Sequence, residues 1–185
     1  MTNYIEILKS QNSEFADKII TVLEACKRQD AEMRPYCFIR DPWTQAKLWR
    51  QSRTKIEIDR MIDKLKQENA HFIAEILASV GPQSGRWATN CIPGSSWHQW
   101  GKAVDCFAVG GCNRAIWTAK HKSYSIYAEE AKKQGLMAGF YWNRVDAVHV
   151  QESSYSVRGT YTWEQISLEM ENQYGKVNPS ANNGS

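Results

Sequence analysis

Residues 96–109 read SWHQWGKAVDCFAV. The second half, Ala103-Val104-Asp105-Cys106-Phe107-Ala108-Val109, is short and apolar, with valines near both ends, and predicts a strand. Alternation along that strand places Asp105 on the face of Ala103 and Phe107. A strand holds a short carboxylate side chain at a defined point. His98 lies in the turn just upstream, and Gly101 relieves backbone crowding between the two. The surroundings are loop-rich, with glycines at 81, 85, 94, 101, 110 and 111 and with Pro82 and Pro93. Loops on a rigid frame often carry binding groups.

Working outward, Phe15, Ile19, Val22, Leu23 and Cys26 recur at helical spacing and predict a helix over 14–28 capped by Ser13. Tyr36–Ile39 reads as a short extended segment. Asp41 can cap a helix starting at Pro42, where a missing N–H costs little; this helix carries Trp43, Ala46, Leu48 and Trp49. The longest regular pattern covers 56–78. Ile58, Met61, Ile62 and Leu65 form a stripe that Asn69, Phe72, Ile73 and Ile76 continue, which predicts one long amphipathic helix interrupted by one polar position. Gly81-Pro82 ends it. It serves as core and frame, or as a lid or partner-binding arm.

Tyr124, Tyr127, Ala128 and Ala131 predict a further amphipathic helix over 124–134, ended by Gly135. Ala147–Val150 reads as a second short strand, with His149 facing away from Val148 and Val150. Thr162 and Gln165 fit a capping box ahead of a last helix through Trp163, Ile166 and Met170. The closing NPSANNGS is polar and expected to be disordered. The expected organisation is one domain over 1–175, with a helical insertion at 54–80 and a tail at 176–185.

A chain of 185 residues suits one compact domain with a real core. At 42% hydrophobic and 23% charged, it is neither collagen-like nor mostly disordered. The net charge of +3 is too small to argue for nucleic acid, and no zinc-finger or phosphate-binding glycine motif is present. No apolar run approaches the ~18–20 residues of a membrane span. The start, MTNYIEILKSQNSEF, lacks the basic and apolar regions of a secretory signal, so the chain reads as made in the cytoplasm. Cysteines at 26, 37, 91, 106 and 112 are odd in number and contain no CxxC spacing. Cys91 and Cys112 flank the glycine-rich stretch and can be joined, but buried free thiols are the plainer reading. Eight Trp and eight Tyr supply rings that pack cores or line grooves for extended substrates.

Four residues draw attention as candidates for chemistry: His98 and Asp105 at H-x6-D, and Asp146 and His149 at D-x-x-H. Two imidazoles and a carboxylate, with water in the fourth position, make an ordinary catalytic zinc set. Asp146 stands where the chain enters its strand and can reach the water without being a ligand. Spacing alone leaves open that these are scattered hydrogen-bonding residues. His71 and His121 lie in polar helix or loop stretches and read as surface or local contacts.

At these residues the chain resembles the zinc peptidases of the D-Ala-D-Ala carboxypeptidase (VanY-like) type, closest to phage endolysin L-alanyl-D-glutamate peptidases. The resemblance runs over about 14–151, with 54–80 as an enlarged helical segment. The family pattern S-x-H-x-x-G-x-A-x-D stands here as Ser96, His98, Gly101, Ala103 and Asp105. The later D-x-x-H element is Asp146 and His149, and the upstream arginine with its following glutamine is Arg40 and Gln45. Two departures stand out: the stretch from Gly139 to Asp146 is short, and Gln151 stands where an acidic residue is common, without an assigned catalytic role.

The resemblance implies an α+β fold, hedgehog/D-Ala-D-Ala peptidase-like, in which a small antiparallel sheet carries the zinc site and packs with helices. It implies Zn2+ held by His98, Asp105 and His149, with Asp146 as catalytic base and Arg40 steadying substrate or transition-state oxygen. Ser96, Gln99, Gln45 and the rings of Trp97, Trp100 and Trp142 are expected around substrate or ligands. Trp97 and Trp100 either floor a groove or pack behind the loop.

The implied activity is hydrolysis of a peptidoglycan stem peptide, with an L-Ala–D-Glu endopeptidase, an antimicrobial endolysin, foremost. A D,D- or L,D-peptidase and a non-catalytic wall-binding protein are the alternatives. The chain is expected to be a monomer with no nucleic-acid partner and no integral membrane segment, acting in the periplasm or on the wall. A holin or a dedicated secretion machine would deliver it.

Overall fold

Residues 2–176 are described by a computed structural model. The expected tail lies outside them apart from its first position. In chain order the helices are α1 (Thr2–Gln11), α2 (Ser13–Lys27), α3 (Pro42–Arg50), α4 (Lys55–Gln67), α5 (His71–Ser79), α6 (Lys122–Lys133), α7 (Val157–Thr160) and α8 (Trp163–Tyr174). The strands are β1 (Met33–Cys37), β2 (Ala103–Val109), β3 (Ala115–Ile116), β4 (Met137–Ala138) and β5 (His149–Gln151). The fold is α+β with a small antiparallel sheet. Two compact units form: one from the chain up to Ile39 with Trp100–Ser154, the other from Arg40–Gln99 with the chain from Tyr155 onward.

The first unit is built on β2, which spans the residues its alternation predicts. The sheet runs β1-β2-β5-β4, with β3 also on β2, and the pairs are antiparallel. Val104, Cys106 and Ala108 turn one way into a core closed by Phe15, Ala16, Ile19, Val22 and Cys26 of α2 and by Tyr124, Tyr127, Ala128 and Ala131 of α6. Burying each larger apolar side chain stabilises the fold by about 1.5–3 kcal/mol. The Tyr127 hydroxyl donates to Cys106 Sγ at 3.2 Å, and the Tyr124 hydroxyl donates to the Ile116 carbonyl at 2.6 Å. Both rings thereby bury their bodies and satisfy their polar ends. With Cys106 on the helix side, Asp105 faces the other way.

Register settles what stands beside Asp105. Pro35 pairs with Cys106 and Cys37 with Asp105, so Tyr36 is an extra residue on β1, a bulge. On the other flank His149 pairs with Asp105 and Gln151 with Ala103. Directly opposed residues share a face, so Cys37, Asp105 and His149 form one row across three strands.

The second unit is helical. Asp41 caps α3 as expected, accepting from the Thr44 N–H at 2.8 Å, with Pro42 at the first position. The capping box at Thr162 and Gln165 forms at the start of α8. Ile73, Ala74, Ile76 and Leu77 of α5 are buried, and α5 packs against α3 and α8.

Several expectations are corrected. The single helix over 56–78 is two, because Asn69 takes φ +59° and the Ala70 N–H turns back to the Leu65 carbonyl at 2.8 Å. Asparagine tolerates that left-handed conformation, so the one polar interruption of the stripe is a turn. The cap of α2 is Asn12 rather than Ser13; its side chain accepts from the Phe15 N–H at 3.1 Å. The extended segment expected from Tyr36 starts at Met33, and β5 starts at His149 rather than Ala147. None of the five cysteines is in a disulfide, so the Cys91–Cys112 pairing does not form.

Candidate active site

Asp105 sits at the centre of the three-strand row in the first unit, and both it and His149 are buried. His149 Nδ1 lies 2.9 Å from Asp105 Oδ1, and His149 Nε2 lies 3.0 Å from Gln151 Oε1. The Gln151 amide group donates in turn to the Ser153 carbonyl, which orients its oxygen toward the imidazole. A carboxylate and an amide oxygen only accept. A cation that takes one ring nitrogen leaves the other N–H bonded to an oxygen, the arrangement that fixes a ligand imidazole. Two buried potential ligands on adjacent strands, one already braced from behind, could hold a metal ion. The Trp142 ring stands 5.1 Å from the His149 ring and is 37% exposed, so it walls the outer side of the imidazole.

Two residues here escape the sequence reading. Gln151 has no expected role, yet it is the brace of His149. Cys37 reads from sequence only as part of an extended segment and as a free thiol. The bulge turns it onto the Asp105 face, where its Sγ lies within 4.8 Å of an Asp105 carboxylate oxygen. Alternation over β1 would have revealed it only with the bulge already known.

Asp146 lies on an exposed turn just before β5. Its N–H donates to the Gly139 carbonyl at 2.9 Å, and its own carbonyl accepts from the His149 N–H at 3.2 Å. The turn is closed so tightly that a Cβ on Gly139 would meet the Asp146 carbonyl oxygen at 2.5 Å. The brevity of this stretch therefore has a structural use: it ties the carboxylate-bearing residue to the strand that carries His149.

The second unit holds Arg40, Gln45, Ser96, Trp97, His98 and Gln99. His98 rides on a 3-10 turn, Trp97–Trp100, and is buried. Gly101 follows at φ +64°, a left-handed conformation that reverses the chain into β2 and that glycine adopts without penalty. Gln45 is fully buried and joins this loop to α3. Its oxygen accepts from Arg40 Nη1 at 3.1 Å and from Gln99 Nε2 at 3.3 Å, and its amide donates to the Cys91 carbonyl at 2.7 Å. The Ser96 N–H donates to Gln99 Oε1 at 3.2 Å, and the Arg40 N–H donates to the His98 carbonyl at 3.4 Å. Arg40, Gln45, Ser96 and Gln99 are thus one hydrogen-bonded group around the backbone of the His98 turn. Trp97 is buried, with its indole N–H donating to the Tyr155 carbonyl at 2.8 Å. Of the two readings offered for Trp97, this is packing behind the loop. Trp100 is half-buried.

The sequence family described as VanY, D-alanyl-D-alanine carboxypeptidase, matches residues 9–158. That span contains the row on the sheet, the His98 turn and the Asp146 turn. No curated protein matches the chain.

Proposed function

The chain belongs to the VanY family of D-alanyl-D-alanine carboxypeptidases, and from that premise we propose that it is a zinc-dependent peptidase cutting peptidoglycan stem peptides, foremost as an endopeptidase at a bond such as L-Ala–D-Glu. The observation that carries the metal part is the braced pair Asp105 and His149, buried in register on neighbouring strands.

In this reading His98, Asp105 and His149 would hold the ion. Gln151 keeps the His149 Nε2–H engaged, so Nδ1, on the Asp105 side, is the nitrogen offered to the metal. Zinc in such a donor set supplies Lewis acidity toward a peptide carbonyl and acidifies water. Asp146 accepts the proton of the attacking water and passes it to the leaving amine. Its exposure suits a group that exchanges protons with water and substrate. Arg40 supplies positive charge to the developing oxyanion, and Gln45 holds its guanidinium in one orientation. Trp142 offers a ring against the substrate beside His149. Ser96, Gln99 and Trp100 support the loop that carries His98.

A second reading, a carboxypeptidase that releases the terminal D-Ala, is favoured by the family's own description. Digestion of purified peptidoglycan, with products identified by mass spectrometry and with or without chelator, tests both. New amine ends on D-Glu support the endopeptidase. Free D-Ala supports the carboxypeptidase. Intact stem peptides at saturating protein with zinc bound overturn both.

A further inference from the structure

We propose that Tyr36, Phe107 and Trp117 form a stacking platform for the N-acetylated sugar from which the stem peptide hangs; the inference rests on the peptidase reading given above and adds the glycan to what this site recognises. Strand pairing builds the platform. Tyr36 is the extra residue of the β1 bulge, and its neighbour Arg34 pairs with Phe107. Ile116 of β3 pairs with Ala108 on the core side, so the next residue, Trp117, turns to the face of Phe107. The ring centres stand 5.2 Å apart for Phe107 and Trp117, 5.3 Å for Trp117 and Tyr36, which meet edge to face, and 6.0 Å for Tyr36 and Phe107. This cluster is not core: Trp117 is 58% exposed and Tyr36 39%. Contiguous apolar surface left in water marks a binding site.

The chemistry around the rings selects the partner. A pyranose has a flat face of C–H groups that lies on an aromatic ring, and an edge of hydroxyl and acetamido groups that need polar partners. Both halves are matched here. The Arg34 guanidinium carbon stands 5.9 Å from the Phe107 ring centre, and Nη2 donates to Glu32 Oε1 at 3.0 Å and to Asn113 Oδ1 at 2.6 Å. The rim of the platform thus carries a held cation, a carboxylate and an amide, for which an aliphatic partner has no use.

Position supplies the rest. Phe107 follows Asp105 by two residues on the same face of β2, a step of ~7 Å. In a stem peptide L-Ala is the residue joined to the lactyl group of the sugar. The L-Ala–D-Glu bond therefore lies one residue from that group, about 3.5 Å of extended chain, and the terminal D-Ala–D-Ala bond lies four residues away, about 14 Å. A sugar seated on the rings, with its peptide running over Asp105, favours cleavage at the first of these bonds.

The test compares hydrolysis of two substrates by the full chain: a stem peptide still joined to its disaccharide, and the same peptide without sugar. The wild type should show the lower KM for the sugar-bearing substrate. Trp117→Ala should raise that KM by about 2–10-fold, the scale of one aromatic contact, and leave the KM for the free peptide unchanged. Equal KM values for the two substrates, or an equal rise for both in the variant, would overturn the platform and leave the peptidase reading standing. A second measurement needs no turnover. The peptide-free disaccharide N-acetylglucosaminyl-N-acetylmuramic acid is titrated into the 15N-labelled protein, and the Trp117 indole N–H signal, assigned by its loss in Trp117→Ala, should shift. A signal that stays in place at saturating disaccharide would overturn the platform. A shift without hydrolysis of either substrate would support the platform and overturn the peptidase reading. Dimerisation that Trp117→Ala abolishes, with no effect of sugar, would overturn the platform in favour of an interface between copies of the chain.

Discussion

His149 Nδ1 lies 2.9 Å from Asp105 Oδ1, across a strand pair in which these two residues are direct partners. Such a contact could arise anywhere an imidazole meets a carboxylate. Here both groups are buried, and the far nitrogen is engaged by Gln151. The ring is therefore held at both nitrogens. A site in which two potential ligands are held before a cation arrives loses little side-chain entropy on binding it.

Removing either member should remove the metal. His149→Ala and Asp105→Ala are each expected to lose bound zinc after dialysis, measured by atomic emission. Chelation should abolish hydrolysis in the wild type, and added zinc should restore it. Full activity in excess chelator would exclude a metal-dependent reaction.

Asp146→Asn separates base from ligand. Hydrolysis should fall by about 10²–10⁴-fold, the range for a lost general base. Zinc content and thermal midpoint should stay near wild type, because the backbone bonds of the turn do not involve the carboxylate. Normal turnover in this variant would remove Asp146 from the mechanism.

Gln45→Ala removes one partner from several groups at once. Arg40, Gln99 and the Cys91 carbonyl each lose a buried partner. A buried polar group left unsatisfied costs about 1–3 kcal/mol. Urea unfolding should show a loss of at least that order. Peptide hydrolysis should fall further than stability explains, since Arg40 loses the contact that orients it.

Gly139→Ala probes the closed turn. The added methyl would stand 2.5 Å from the Asp146 carbonyl oxygen, so the turn must open. The expected outcome is reduced kcat with zinc content kept. An unchanged kcat would show that the position of Asp146 does not matter to the reaction.

Thr162→Ala is the remote control. It deletes a helix cap at α8 and should cost about 1 kcal/mol. Zinc content and kcat at a temperature well below melting should not change.

Much of the frame was legible from local chemistry. Asp41 with Pro42, and Thr162 with Gln165, announce helix starts because the groups that satisfy the first N–H donors lie within three residues of them. The alternation of β2 assigns Asp105 its face without any partner strand, because successive side chains on a strand must point opposite ways. The break at Asn69 was half visible: the polar residue in the stripe was plain, but its left-handed backbone was not.

By itself, then, the sequence determined strand β2, the face of Asp105 and the starts of α3 and α8, since each follows from neighbours a few positions apart. Only the tertiary structure decided that Tyr36 bulges, that Cys37 stands opposite Asp105, and that Gln151 braces His149. Those facts depend on which residue of one strand meets which residue of another. Pairing register is fixed by the core packing of the whole sheet, and a shift of one residue moves every side chain to the other face.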